Sequence, residues 1–174
     1  MSLGFCRRLM LVISLVSLPS LLWAAGPERV SLPPTISDRV ALTVTRADQS
    51  KRDFTVAQIE SLGVYRLTTK TFWPKDDGTY EGVLLADFLK EAGLEKLPKI
   101  QVTALDGYSV SIPREDWTRW PVLLATRRDG APLSVRNKGP LRLIFPMALD
   151  RELSVRSMGT HWAWMIRSIS PAAK

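Results

Sequence analysis

The feature that most constrains this chain is its punctuation. Beyond residue 26, apolar runs are short, alternate with polar residues, and are broken by turn-forming residues every few positions. Residues 100–105 and 108–112 flank Asp106-Gly107. Asp-Gly between two alternating runs predicts a tight hairpin, because both turn positions need positive φ. Val40, Leu42 and Val44 alternate with Ala41, Thr43 and Thr45, which predicts a strand over 39–45. The same reading predicts strands over 64–72, 80–83, 122–126, 141–145 and 162–169. Asp48-Gln49-Ser50 turns the chain, and residues 74–78 form a turn-rich loop. Helices have less room. Thr55-Val56-Ala57-Gln58 is a capping box, and Phe54 and Ile59 have the spacing of a hydrophobic staple, so a short helix starts there and ends at Gly63. Leu84, Leu85, Phe88 and Leu89 predict a helix over 84–92, with Gly93 as its stop. Residues 113–120 read as a helical turn. The expectation is one α+β domain, mixed and strand-rich, with short helices.

Composition removes several classes. A chain of 174 residues with 45% hydrophobic and 24% charged content is neither disordered nor collagen-like. One cysteine allows no disulfide framework and no multi-cysteine metal site, and one histidine allows no histidine-rich site. Motifs for a phosphate-binding P-loop, a dinucleotide fold or a nucleophile elbow are missing from the sequence.

The first residues read as an address. Arg7 and Arg8 precede an apolar run from Leu9 to Trp23, followed by Ala24, Ala25 and Gly26. This is the pattern of a secretory signal peptide over 1–25, with cleavage after Ala24 or Ala25. Its removal would take away Cys6, and would lower the formal charge from +7 to +5 with the loss of Arg7 and Arg8. The expected product is periplasmic, with no membrane span after cleavage and no nucleic-acid partner. Residues 26–37 read as an extended N-terminal arm, and residues 38–170 as the domain.

Two groups of residues suggest binding chemistry. Segment 127–156 is basic, and its core, Arg136-Asn137-Lys138-Gly139-Pro140-Leu141-Arg142, is a Gly/Pro-punctuated loop entering a strand. Such a loop can offer backbone amides and cations to an anion, or simply be a solvated surface. The indole of Trp73 lies at a loop mouth, where a flat heteroaromatic ligand would stack. Trp162 and Trp164 share a face if their segment is a strand.

Taken in order, Thr71-Phe72-Trp73-Pro74, residues 80–85, Ala104-Leu105-Asp106-Gly107-Tyr108, Ile112-Pro113, residues 121–125, residues 129–133 and residues 136–146 resemble the molybdopterin-binding domain of the sulfite oxidase superfamily. The likeness covers about residues 38–170 and is closest to the small exported form of that domain. It implies a sulfite oxidase-like, strand-rich α+β fold. In the large enzymes of this superfamily a cysteine ligates molybdenum. Here the matching region is Ala104 and Leu105, which cannot. The enzymes' pterin-contacting histidine and arginine are matched by Lys138 and Arg142.

The resemblance therefore implies a pterin site without a metal, the ligand being a reduced pterin or molybdopterin. It would stack on Trp73 or Trp162, with Asp106 accepting from its amino-pyrimidine edge. Arg136, Lys138 and Arg142 would hold its polar groups, and Ser157 and His161 are further candidates. The small exported relatives are similar to periplasmic pterin-binding regulators of a membrane-bound diguanylate cyclase, phosphodiesterase or sensor kinase. The leading expectation is thus a non-catalytic accessory or sensor protein whose partner is the periplasmic domain of a membrane signalling protein. Two alternatives stand beside it: a molybdopterin-dependent oxidoreductase with atypical metal ligation, and an interaction domain that has lost its pocket.

Overall fold

The hairpin at Asp106-Gly107 forms between strands Lys99–Ala104 and Ser109–Pro113, but only Gly107, at φ 88°, takes a positive φ; Asp106 does not, so the turn is not the one with two positive-φ positions that the sequence predicts. The computed structural model describes residues 26–173; the leader expected over 1–25 lies outside the described residues, as do the side chains of Arg156 and Ser157. In chain order the strands are β1 (Glu28–Val30), β2 (Val40–Thr45), β3 (Lys51–Thr55), β4 (Val64–Thr69), β5 (Gly78–Leu84), β6 (Lys99–Ala104), β7 (Ser109–Pro113), β8 (Leu123–Arg128), β9 (Ala131–Pro132), β10 (Arg142–Ile144) and β11 (Ile166–Pro171). The helices are α1 (Val56–Glu60), α2 (Leu85–Ala92) and α3 (Arg114–Arg119).

The strands make two sheets. One has the order β1-β4-β5-β8-β10, with β9 on β8; the other has the order β3-β2-β11-β6-β7. All pairings are antiparallel except β2 with β11. The inward residues of both sheets and the apolar face of α2 belong to one buried cluster that includes Leu42, Phe54, Phe88, Val102, Leu124 and Ile169. This is the α+β, strand-rich architecture read from the sequence, and the fold is sulfite oxidase-like.

Local chemistry explains several boundaries. The Thr55 hydroxyl accepts from the Gln58 amide N–H, and the Gln58 side chain accepts from the Thr55 N–H, so the capping box is complete. Gly93 ends α2 in the left-handed conformation at φ 77°. Gly82 lies in β5 where a Cβ would come within 2.3 Å of the Leu124 carbonyl oxygen, so only glycine lets β5 and β8 approach this closely.

Three readings change. The 26–37 arm includes β1, which pairs with β4 at the sheet edge. The last strand begins at Ile166 rather than residue 162, because Met165 adopts φ 50° and breaks the pleat. β3 follows the turn at Asp48–Ser50 and was not expected as a strand; its Lys51, Arg52 and Asp53 are exposed at the sheet edge. Charged residues there discourage edge-to-edge pairing. Among the described residues no helix is long and apolar enough to cross a membrane.

Candidate functional site

Three loops converge beside the end of β6. The first, residues 71–77, is pinned from within. The Thr71 N–H donates to the Asp77 carboxylate at 2.7 Å, and the Thr71 hydroxyl donates to the Trp73 carbonyl at 2.6 Å. This fixes Trp73 at the start of a 3-10 turn over Pro74–Asp76. The second is the hairpin tip, where the Tyr108 N–H donates to Asp106 at 2.9 Å. The third, residues 159–165, crosses the end of the basic loop. The Met165 N–H donates to the Lys138 carbonyl at 3.0 Å, and the Met165 carbonyl accepts from the Leu105 N–H at 2.8 Å. Tyr108 closes the ring of contacts by donating its hydroxyl to the Thr160 carbonyl at 2.8 Å.

Between these loops lies a cleft of about 380 Å³ walled by Phe72, Trp73, Tyr108 and Trp164, with Asp106 and Thr160 at its edge. That volume is within the ordinary range for a small-molecule site, roughly 300–1,000 Å³. Trp73 and Trp164 meet edge to face, ring centres 4.8 Å apart, and Phe72 meets Trp73 in the same way at 5.4 Å. Gly159 lets the third loop approach, since a Cβ there would stand 3.0 Å from the Phe72 ring.

Behind the indoles is a charged cluster. Asp76, 8% exposed, pairs with Lys138 and, at 3.2 Å, with Arg142. Arg142 is 1% exposed and also donates to the Tyr80 hydroxyl at 3.2 Å, while Tyr80 donates to the Asp76 carbonyl. The Lys138 ammonium lies 4.6 Å from the Trp164 ring centre and 5.4 Å from that of Trp73, a double cation–π contact. Burial alone would push the Asp76 carboxyl up, but hydrogen bonding from Lys138 and the charges of Arg142 and Lys138 hold it below the ordinary value. Burial pushes the Tyr80 hydroxyl up. Lys138 reaches this position from a left-handed backbone at φ 65°, directly before a cis Gly139–Pro140 bond.

The expected residues therefore separate. Trp73 and Asp106 come together at the cleft. Arg142 is buried in its ion pair and so is not open to a ligand in the way expected; Lys138, with 35% of its side chain exposed, is outside the cleft lining and engaged by Asp76 and the two indoles. Arg136 is exposed on the 3-10 turn Val135–Asn137, outside the cleft lining. Trp162 is 1% exposed and packs on Phe145, so its face is covered and cannot receive a stacked ring. The wall instead uses Trp164, which the strand assumption placed on the same face. His161 is held by Asp116, Nδ1 to Oδ2 2.7 Å, with Asp116 4% exposed, so it faces the domain rather than the cleft. The Ser157 side chain lies outside the described residues. The sequence pairs Trp164 with Trp162 only as a shared face and does not mark Phe72, Tyr108 or Asp76 as site residues; Phe72 and Tyr108 lie within the Thr71–Pro74 and Ala104–Tyr108 stretches, whereas nothing local in the sequence marks Asp76.

The comparisons agree with this fold. Residues 69–152 match the family model "Oxidoreductase molybdopterin binding domain". More particularly, a 77-residue stretch is 31% identical to the uncharacterized oxidoreductase YuiH of Bacillus subtilis (strain 168), covering 44% of this chain and 39% of that protein. The fold is similar to the sulfane dehydrogenase SoxCD of Paracoccus pantotrophus, with a TM-score of 0.56 and 18% identity over 78% of this chain and 38% of that one. The chain spans about two fifths of the length of both.

The family model's description implies a molybdopterin cofactor, and the residues present fit its two halves differently. The cleft fits a flat ring: four aromatic side chains wall it, and the Asp106 carboxylate can accept ring N–H groups at its edge. The expected metal position offers no donor side chain. Ala104 is 1% exposed, and Leu105 presents an aliphatic side chain that is 46% exposed. Among the described residues, no three His, Cys, Asp or Glu side chains cluster as a metal site.

Proposed function

We propose that this chain is an exported binding protein for a pterin or a closely similar flat amino-heterocycle, held in the aromatic cleft without catalysis. The observation that supports this best is the wall of Trp73, Trp164, Phe72 and Tyr108 with a single carboxylate, Asp106, at its edge. The indoles supply stacking area at low conformational cost. Asp106 orients the ligand by accepting from its amino-pyrimidine edge, and the Tyr108 N–H already fixes one of its oxygens. Lys138 holds the indoles in place rather than binding the ligand. The loaded protein would act as an accessory or sensor for the periplasmic domain of a membrane signalling protein, such as a diguanylate cyclase, phosphodiesterase or sensor kinase.

The test is titration of the purified full chain with a pterin, followed by quenching of tryptophan and pterin fluorescence, alongside mass spectrometry of protein isolated from its own host. Saturable quenching that is lost in Trp164→Ala and weakened in Asp106→Asn is expected. Absence of binding and of any co-purifying pterin would overturn the reading.

A second reading, a molybdopterin-dependent oxidoreductase with atypical ligation, is supported by the match over residues 69–152 and by a relative named an oxidoreductase. It requires about one molybdenum per chain in protein from the native host, which elemental analysis measures.

A further inference from the structure

A second hollow, of about 270 Å³, lies between the β8–β9 hairpin and the 3-10 turn Val135–Asn137, and it shares no lining residue with the aromatic cleft. Arg128, Asp129 and Asn137 supply its polar groups, and Ala131, Pro132 and Leu133 its apolar wall. The hairpin turns at Asp129-Gly130, where both residues take positive φ, 52° and 79°. Asp129 is fixed in that turn: its N–H donates to the Thr79 carbonyl at 2.8 Å, and its carboxylate accepts from the Thr79 N–H at 3.3 Å. The Arg128 guanidinium is fixed from another side. It donates through Nη2 to the Asp77 carbonyl at 2.8 Å, lies 5.7 Å from the Tyr80 ring centre, and packs where a Cβ on Gly78 would stand 3.2 Å from Nε. The two charges stand side by side without satisfying each other. Nε is 3.4 Å from the Asp129 carboxylate and forms no hydrogen bond with it. Arg128 Nη1 and the Asn137 carboxamide have no partner among the described residues.

We infer that this hollow is a ligand site of its own, for a free α-amino acid with a small apolar side chain. Arg128 and Asn137 donate to the carboxylate, Asp129 accepts from the ammonium, and the Ala131-Pro132-Leu133 wall receives the side chain. Charge sets the choice. One guanidinium and one carboxylate leave the lining neutral, so it is complementary to a molecule that carries one charge of each sign. A phosphate would set its negative charge against Asp129, and an amine alone would set its positive charge against Arg128. The size agrees, because the hollow is smaller than the range of roughly 300–1,000 Å³ for drug-sized ligands. Arg128 also needs little ordering on binding, since its fork is already held on Asp77 and Gly78.

Chemical-shift titration of the isotope-labelled full chain with L-valine, acetate, methylamine and inorganic phosphate tests this. L-valine should move the Gly130 and Asn137 amide signals saturably and leave the Trp73 and Trp164 indole signals in place. It should bind about tenfold or more tightly than acetate, methylamine or phosphate, because each of these lacks one of the two charge-assisted contacts. This comparison uses the unaltered chain, so it stands whether or not a variant folds. Asp129→Asn keeps the turn, since asparagine tolerates the left-handed conformation, and removes the charge. It should weaken L-valine about tenfold or more, and Arg128→Gln should do the same. Four results would overturn the site: no saturable shift with L-valine, shifts confined to another part of the surface, acetate or phosphate binding as tightly as L-valine, or L-valine binding unmoved by Asp129→Asn.

Discussion

The Lys138 ammonium stands 4.6 Å from the centre of the Trp164 ring and is held there by Asp76, a residue 62 positions earlier in the chain. A single carboxylate thus fixes one wall of the cleft and neutralises part of the buried charge beneath it.

Asp76→Asn leaves Arg142 at 1% exposure without its counter-ion. Breaking a buried pair by removing one partner costs about 3–5 kcal/mol. Urea unfolding should show a loss of that order. Asp76→Asn should also change the fluorescence of Trp73 and Trp164, since Lys138 is released from their rings.

Acid should destabilise the fold through two carboxylates. Burial alone would raise both Asp76 and Glu60. Hydrogen bonds from Lys138 to Asp76, and from Arg127, Thr126 and Thr35 to Glu60, hold both below their ordinary values of 3.8 and 4.5. A carboxyl depressed in the folded state contributes stability above its unfolded value and loses it as pH falls through the folded one. Stability measured by urea should therefore be flat near neutrality and fall below about pH 4.5, with a shallower fall in Asp76→Asn.

The two neighbouring tryptophans should behave oppositely. Trp162→Ala empties a core position and should cost about 3–5 kcal/mol. Trp164→Ala should leave the melting temperature close to that of the parent and weaken pterin binding by about tenfold or more, a stacking loss of roughly 1–3 kcal/mol. Thermal melts and fluorescence titration of both variants check this.

Arg127 couples the N-terminal arm to the domain. It is 6% exposed, pairs with Glu60 at 2.6 Å, and donates to the Pro33 carbonyl and the Thr35 hydroxyl, each at 2.8 Å. Arg127→Met should loosen residues 28–35, read as faster amide exchange there and new proteolytic cuts within the arm. Equal protection of the arm in variant and parent would contradict this role.

Gly82→Ala and Gly107→Ala should separate steric from conformational cost. A Cβ on Gly82 meets the Leu124 carbonyl at 2.3 Å and the Ala125 Cα at 2.6 Å, both backbone atoms in the paired strand. Overpacking of this kind costs about 1–3 kcal/mol or more. Gly107 has nothing within 4 Å, so only its φ of 88° opposes the change, at about 1–2 kcal/mol. Denaturation midpoints should rank Gly82→Ala as the more damaging.

Much of the fold was legible because its signals are local. The capping box at Thr55 and Gln58, the stop at Gly93 and the Asp106-Gly107 hairpin each depend on residues a few positions apart. β3 escaped because Lys51-Arg52-Asp53 has the composition of a loop, and edge placement is what makes those charges tolerable in a strand. The site was half legible. Trp73 and Asp106 could be named from loop position and motif. Alternation places Trp162 on the face of Trp164 only if residues 162–165 are a strand, and they are not. The Asp76–Lys138–Arg142 cluster joins residues distant in sequence, and no spacing encodes it.

The place of β11 also sets the order in which the molecule can be completed. It lies in the middle of its sheet, parallel to β2 on one side and antiparallel to β6 on the other, with Ile169 opposite both Val44 and Val102. Until residues 166–171 arrive, β2-β3 and β6-β7 are two separate hairpins sharing no edge. Chain emerging from a ribosome holds those hairpins apart until that strand arrives, and the sheet closes in one long-range step. The cleft inherits that timing, because Met165, which ties Leu105 to Lys138, immediately precedes the strand that closes it.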